Sequence, residues 1–132
     1  MTKNQEKFNQ VYADAVIPCE DTPENHAAYR AAIDVRSLSW RGERMPLDEA
    51  AELYVAIQGY NNFTKDMIPK LANDFGSAGI EVTPARESSV VIYLHIPDDK
   101  ALQLEVEKYI QRHFRADEID WVEEGTLRVW WD

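Results

Sequence analysis

The sequence contains one cysteine, Cys19, among its 132 residues. A lone thiol excludes an intramolecular disulfide, and it cannot supply the several thiolates of a cysteine-rich zinc site. No apolar run approaches the length of a membrane span, and the N-terminal segment lacks the apolar core of a secretory signal. We therefore expect no membrane association and a cytoplasmic location, in a reducing compartment.

Basic residues are few: 14 Lys and Arg stand against 24 Asp and Glu, which gives a net charge of −10. A broad phosphate-binding surface needs clustered Lys and Arg, so we expect no direct contact with nucleic acid. A basic protein surface is the more natural partner for such a chain. The length is that of a single domain, which we expect to span residues 1–132.

The motifs of common enzymes are missing from the sequence. There is no phosphate-binding loop, no His-Glu-x-x-His and no Gly-x-Ser-x-Gly elbow around a nucleophilic serine. The histidines His26, His95 and His113 fall on three different predicted elements, so their spacing predicts no metal site. Cys19 is followed by two carboxylates, whose charge disfavours the thiolate that a nucleophile needs. We expect no cofactor and no metal, and the balance is against an enzyme.

Hydrophobic periodicity predicts an α+β fold with a helical N-terminal half, residues 4–75, and a β-β-α-β-β half, residues 79–132. The sheet is expected to be mainly antiparallel, with four strands. The first helix carries Phe8, Val11, Tyr12 and Ala15 at helical spacing. The other predicted helices are 23–35, 47–59, 64–75 and 98–114, and the predicted strands are 79–84, 89–96, 119–122 and 126–131.

Strand alternation suggests one candidate binding surface. In the strand 89–96, the even-numbered residues form an apolar row that we assign to the core. The opposite face carries Tyr93 and His95, and Arg128 and Trp130 share a face of the last strand. If these faces coincide, the four side chains form an aromatic patch with hydrogen-bond donors, suited to a planar ligand. The alternative is that the N-terminal helices cover this face.

A second candidate surface is the acidic run at residues 117–124. Five carboxylates within eight residues repel one another and stand at no helix end. They are consistent with an edge strand protected by charge, or with an acidic surface that binds a partner. Trp121 would then be the apolar anchor. The candidate residues are Asp117, Glu118, Asp120, Trp121, Glu123 and Glu124.

A third candidate is the basic segment 36–44, in which three arginines surround a tryptophan. Arginine with tryptophan is typical of binding hot spots, and it is also the composition of a loop that lies over a core. We expect a loop here, with at most a short strand. The candidate contact residues are Arg36, Trp40, Arg41 and Arg44.

Two functions therefore remain open on the sequence. The first is a small acidic non-enzymatic module that binds a basic protein surface, with the special case of an inhibitor that imitates nucleic-acid charge. The second is small-molecule binding, or catalysis, on the Tyr93 and His95 face. A homodimer through the C-terminal strands is also left open, with Trp130 and Trp131 at its interface.

Overall fold

The computed structural model describes residues 3–16, 22–57, 59 and 62–131. It is a mixed fold of helices and a mainly antiparallel sheet, as the sequence predicts. The helices are α1 (Lys3–Val11), α2 (Ala13–Val16), α3 (His26–Asp34), α4 (Leu47–Tyr54), α5 (Met67–Phe75) and α6 (Lys100–His113), with a 3-10 turn at Val35–Ser37. The strands are β1 (Ser39–Arg41), β2 (Met45–Pro46), β3 (Glu81–Glu87), β4 (Val90–His95), β5 (Glu118–Glu123) and β6 (Thr126–Trp130).

Among the described residues, the sheet has six strands instead of the predicted four, in the order β1-β3-β4-β6-β5, with β2 also paired to β3. Strand β1 lies in the segment 36–44, for which we expected a loop with at most a short strand, and β2 follows directly after that segment. They are short, and both pair antiparallel with β3, through Trp40 opposite Arg86 and Met45 opposite Val82. Local periodicity did not reveal them because two or three residues are too few to show alternation.

Strand β3 continues through Pro84, where the sequence predicted its end. The Pro84 carbonyl accepts a hydrogen bond from the Gly42 amide at 2.7 Å. The backbone edge of Pro84 therefore faces the gap between β1 and β2, away from β4. A proline lacks an amide hydrogen, and at this position the β3–β4 ladder loses no bond.

One face of the sheet packs against the helices and forms the main core. The predicted even-numbered row of β4 is confirmed, since Val90, Ile92 and Leu94 are fully buried. The predicted helix 98–114 is present as α6, and its Val106 and Ile110 are buried in the same cluster. The other core contributors are Phe8, Tyr12, Tyr54, Phe63, Leu71, Leu127, Val129 and Trp131.

The opposite face, which we call the open face, carries a smaller cluster. Ala85, Val91 and Tyr93 are buried there, with Trp130 half-buried beside them. All four belong to strands, and no described helix contributes a side chain to this cluster. Within the described ranges, the expectation that N-terminal helices cover this face is therefore wrong.

A buried ion pair connects the N-terminal helices to the sheet. Arg86 and Asp14 are 0% and 1% exposed, and their side chains form a bidentate salt bridge. Arg86 also donates from Nε to the Val35 carbonyl at 2.7 Å and from Nη1 to the Val11 carbonyl at 3.2 Å. The guanidinium thus joins β3 to α1, α2 and the 3-10 turn.

Trp131 lies in the core of its own chain. It is fully buried, and its indole N–H donates to the Phe114 carbonyl at 2.8 Å. Its ring packs at 4.6 Å from that of Phe63. The idea that Trp131 belongs to a dimer interface is therefore wrong, because an interface residue would have to leave this core.

We predict that Ile92→Ala lowers the free energy of unfolding by about 2–5 kcal/mol, since it opens a cavity under the central strand. A urea titration measures this loss. The exposed Val55, changed to alanine in the same way, is the control and should cost little. A loss below about 1 kcal/mol for Ile92→Ala would show that the site collapses without a cavity.

We also predict that Arg86→Met costs about 3–5 kcal/mol, because it leaves the Asp14 carboxylate buried without its partner. The matched control is Arg44→Met, which removes an arginine whose ion pair with Glu81 is exposed. That pair should be worth less than about 1 kcal/mol. Equal losses for the two variants in a urea titration would contradict the importance of the buried pair.

Candidate functional site

The acidic run is divided by the pleat of an edge strand. Strand β5 lies at one end of the sheet order. Glu118 and Asp120 stand opposite Trp130 and Arg128 of β6, so their side chains project from the open face. Trp121 projects from the face that carries the helices. The pleat therefore places Trp121 on one face of the sheet and Glu118 and Asp120 on the other.

On the open face, Arg128 holds the acidic residues in place. Its Nη1 lies 2.9 Å from Glu118 Oε1 and 3.7 Å from Asp120 Oδ2. Its Nε and Nη2 contact Glu87 Oε1 at 3.1 and 3.0 Å. Burial alone would lower the pKa of Arg128, but hydrogen bonds to Glu87 and Glu118 raise it overall. The carboxylates on this side are thus fixed by a cation of the chain itself.

On the helix side, α6 and β5 enclose a groove of about 440 Å³, here named the α6–β5 groove. Three large apolar side chains in it are exposed to solvent: Leu104 by 51%, Trp121 by 39% and Val122 by 49%. The Trp121 indole N–H donates to Glu107 Oε2 at 2.8 Å, which fixes its ring orientation. The other lining residues are Lys100, Gln103, Glu107, Glu123, Glu124 and Gly125.

Leu104 and Glu107 are among the residues of this groove that the sequence analysis did not identify. Leu104 lies off the apolar stripe of α6, between polar neighbours on the exposed side of the helix. A single leucine on a polar helix face was the signal that could have found it. Glu107 carries no such signal, since its role depends on the distant Trp121.

The two strand faces of the first candidate surface coincide, since Tyr93, His95, Arg128 and Trp130 share the open face. Its polar groups, however, are engaged with one another. The Tyr93 hydroxyl donates to a Glu87 carboxylate oxygen, and the Trp130 indole N–H donates to the Glu87 carbonyl at 3.1 Å. Glu87, which lies between the predicted strands 79–84 and 89–96, is the centre of this network.

The electrostatics of this network follow from its contacts. Burial alone would raise the pKa of Glu87, but hydrogen bonds from Tyr93 and Arg128 lower it below its ordinary value. Burial and the neighbouring Glu87 carboxylate raise the pKa of Tyr93. Both directions mean that Glu87 stays charged and Tyr93 stays protonated at neutral pH, so Glu87 keeps its hydrogen bond from Tyr93 and its ion pair with Arg128.

His95 is held between two threonine hydroxyls at the margin of the open face. Thr83 Oγ1 lies 2.7 Å from its Nε2, and Thr126 Oγ1 lies 3.4 Å from its Nδ1. Burial lowers the pKa of His95, and the positive charge of Arg44 lowers it further. A neutral imidazole results, beside a cavity of about 250 Å³ that also touches Tyr93.

The basic segment does not form one contact surface. Trp40 turns to the helix side, where its ring meets that of Tyr12 edge-on at 6.4 Å. Arg41 projects from the open face, with its guanidinium carbon 4.2 Å from the centre of the Tyr93 ring. The two neighbours thus lie on opposite faces of β1, as strand geometry requires.

The remaining two arginines of the segment lie apart from this pair. Arg36 is exposed on the 3-10 turn, and Arg44 forms an exposed ion pair with Glu81 at 2.9 Å. A cavity of about 350 Å³ lies beside the segment. Its lining residues are Lys7, Phe8, Trp40, Arg41, Gly42, Glu43, Arg44, Met45, Glu49, Leu53 and Pro84.

Metal-binding groups do not come together in the part of the chain that the structure describes. Within those ranges, no three His, Cys, Asp or Glu side chains are grouped so that they could hold a metal ion. His26 opens α3 and His113 ends α6, on elements other than that of His95. Cys19 lies outside the described residues. No described helix is both long enough and apolar enough to cross a membrane.

No protein-family model, curated protein or solved structure matches this chain. The interpretation of its surfaces therefore depends on their own geometry.

We predict that stability falls as the pH drops below about 6.5, because unfolding allows His95 to bind a proton that the folded site disfavours. A histidine whose pKa is lower in the folded protein does not destabilise the fold at pH values above its unfolded-state pKa. The free energy of unfolding decreases as the pH falls from the unfolded-state pKa toward the folded-state pKa. Urea titrations give the free energy of unfolding at pH 8 and at pH 5.5. The difference between the two values should be smaller for His95→Gln than for the wild type. Equal differences, or an NMR titration of His95 at or above its ordinary pKa, would contradict this.

Proposed function

We propose that this protein is a small non-enzymatic module that binds a basic protein partner through the α6–β5 groove and the acidic edge strand beside it. The observation that carries the proposal is the grouping of Leu104, Trp121 and Val122 in one groove. An apolar centre with a charged rim is the usual anatomy of a binding interface. Glu107, Glu123 and Glu124 supply that rim.

The groove is suited to binding because its central side chain is already ordered. Trp121 is held by Glu107, so a partner need not restrict its rotation on binding. Loss of side-chain freedom is one of the costs of association, and tryptophan is among the most frequent hot-spot residues. Burial of Trp121 and Leu104 by a partner would remove apolar surface from water, which favours association.

The negative charge of this chain favours a partner with a positively charged surface. The chain carries a net charge of −10, and the cation among the lining residues of the groove, Lys100, already lies 3.5 Å from Glu124. Added positive charge relieves the repulsion among the carboxylates. It also speeds encounter, since the attraction acts over about 8–10 Å at moderate salt.

Two narrower proposals accompany this one. An inhibitor that imitates nucleic-acid charge is the special case in which the partner's basic surface is itself a nucleic-acid groove. We propose that the interaction takes place in a reducing cytosol, because the sequence contains a single cysteine. Small-molecule binding on the open face has less support, because the polar groups of Tyr93 and Arg128 are already hydrogen-bonded to Glu87.

We predict that replacing Asp120, Glu123 and Glu124 together by Asn, Gln and Gln slows association with the partner by a factor on the order of 10 at low salt, since the steering charge is lost. The partner is first isolated from the native host by affinity capture and identified by mass spectrometry. Rates are then measured by surface plasmon resonance across a salt series. Folding stability should change by less than about 1 kcal/mol, because these carboxylates are exposed.

The matched control removes three exposed carboxylates from other elements, in the variant Glu24→Gln, Glu43→Gln, Glu52→Gln. It has the same net charge as the test variant, and it should slow association much less. If both variants bind at the wild-type rate in low salt, the charge-led proposal is wrong. Loss of binding on substitution of His95 or Arg128, with the acidic variant unaffected, would favour the open face instead.

A further inference from the structure

No described strand pairs with the outer edge of β5. The direction of the backbone groups along this edge follows from neighbouring hydrogen bonds. The Trp131 amide donates to the Val90 carbonyl, toward β4, at 2.9 Å. The Trp130 carbonyl accepts from the Asp117 amide on the β5 side, also at 2.9 Å. Successive residues of this strand therefore point their backbone groups in opposite directions, as in a regular antiparallel ladder.

The register then identifies the groups that β5 presents outward. Glu118 stands opposite Trp130, and Asp120 stands opposite Arg128, so their backbone groups face β6. The intervening residues, Ile119 and Trp121, direct N–H and C=O away from the sheet. No described strand pairs with that side. Such an edge is a template for one more strand.

The side chains along this edge impose an alternating pattern on any strand that adds to it. Ile119 and Trp121 lie on the helix side, and Trp121 faces the α6–β5 groove. Glu118 and Asp120 project on the open face, where half or more of each side chain is exposed. Residues paired across a sheet share a face, so apolar residues would meet the first pair and cations the second.

We propose that the partner of this protein contributes an extended segment that alternates Lys or Arg with Val, Ile or Leu and adds as a strand to the outer edge of β5. Its apolar side chains would enter the α6–β5 groove, and its cations would meet Glu118 and Asp120. This inference rests on the proposed function, whose partner it describes more closely. The bulge at Trp121–Glu123 ends the regular register, which limits the segment to about 4–6 residues.

A second copy of the chain fits this edge poorly. Two β5 strands related by a two-fold axis would place carboxylates of one copy against carboxylates of the other. Like charges opposite each other in a sheet are destabilising, whereas opposite charges stabilise the pair. The charges that exclude self-association are the same ones that admit a cationic strand.

Peptides provide the test, with the intact protein as receptor. The first peptide is acetyl-Lys-Val-Arg-Val-Lys-Val-amide, and the second has the same composition in the order Lys-Lys-Arg-Val-Val-Val. Affinity is measured by isothermal titration calorimetry at 0.15 M salt. We expect the alternating peptide to bind about tenfold more tightly or better, because only its cations and apolar residues occupy separate faces.

Backbone methylation distinguishes strand addition from side-chain attraction. One peptide is N-methylated at its valines and another at its basic residues. Only one of these sets has amides facing β5: the valines for an antiparallel strand, the basic residues for a parallel one. We expect one methylated peptide to lose binding and the other to retain it. Amide NMR shifts should be largest at Ile119 and Trp121.

Variants locate the site. Trp121→Ala and Leu104→Ala should each weaken the alternating peptide severalfold, whereas Val55→Ala, another exposed apolar residue, should have no effect. Equal binding of the alternating and block peptides, or equal effects of the two methylated sets, would overturn the proposal. If the captured partner still depends on Asp120, Glu123 and Glu124 in that case, the proposed function stands and only strand addition is wrong. If the peptides bind equally and the captured partner does not depend on these carboxylates, both the proposed function and strand addition are wrong.

Discussion

The arrangement of this molecule depends on one buried ion pair, that between Arg86 and Asp14. A guanidinium and a carboxylate taken out of water are costly unless every hydrogen-bonding group finds a partner. Arg86 meets that requirement only when α1, α2 and the 3-10 turn all lie on the same face of β3, because it bonds to Val11, Asp14 and Val35. Tyr12 adds hydrogen bonds to the backbone of β3 and β4 on that side. The open face and the outer edge of β5 are left for contact with solvent or a partner.

This central interaction is also the part that the sequence could not predict. The alternation in β4 and the helical pattern at residues 98–114 depend on neighbours a few residues apart, so periodicity predicted both correctly. The ion pair joins residues 72 positions apart, and Arg86 lies between the predicted strands 79–84 and 89–96, because a proline at position 84 favours a strand end there. Pro84 is tolerated because its backbone faces the gap between β1 and β2, and those strands were themselves too short to show a pattern.

The candidate surfaces follow the same division between local and distant information. The acidic run was recognised from composition, and the shared face of Tyr93, His95, Arg128 and Trp130 from alternation in two strands. The sequence did not show how the pleat of β5 separates Glu118 and Asp120 from Trp121, since only the register with β6 sets that phase. The α6–β5 groove required two elements to meet, so neither segment alone could indicate it.

Arg128 orders the carboxylates of the acidic edge, which an excess of negative charge alone would not do. By bonding to Glu118 and lying close to Asp120, it restrains two carboxylates that would otherwise move freely on an exposed strand. A carboxylate accepts several hydrogen bonds, so a contact with Arg128 does not saturate either group. An incoming cation can therefore bind an oxygen whose position is already fixed, and it loses less entropy in doing so. The edge is thus ordered before a partner arrives, as is the Trp121 ring through Glu107 on the opposite side of the strand.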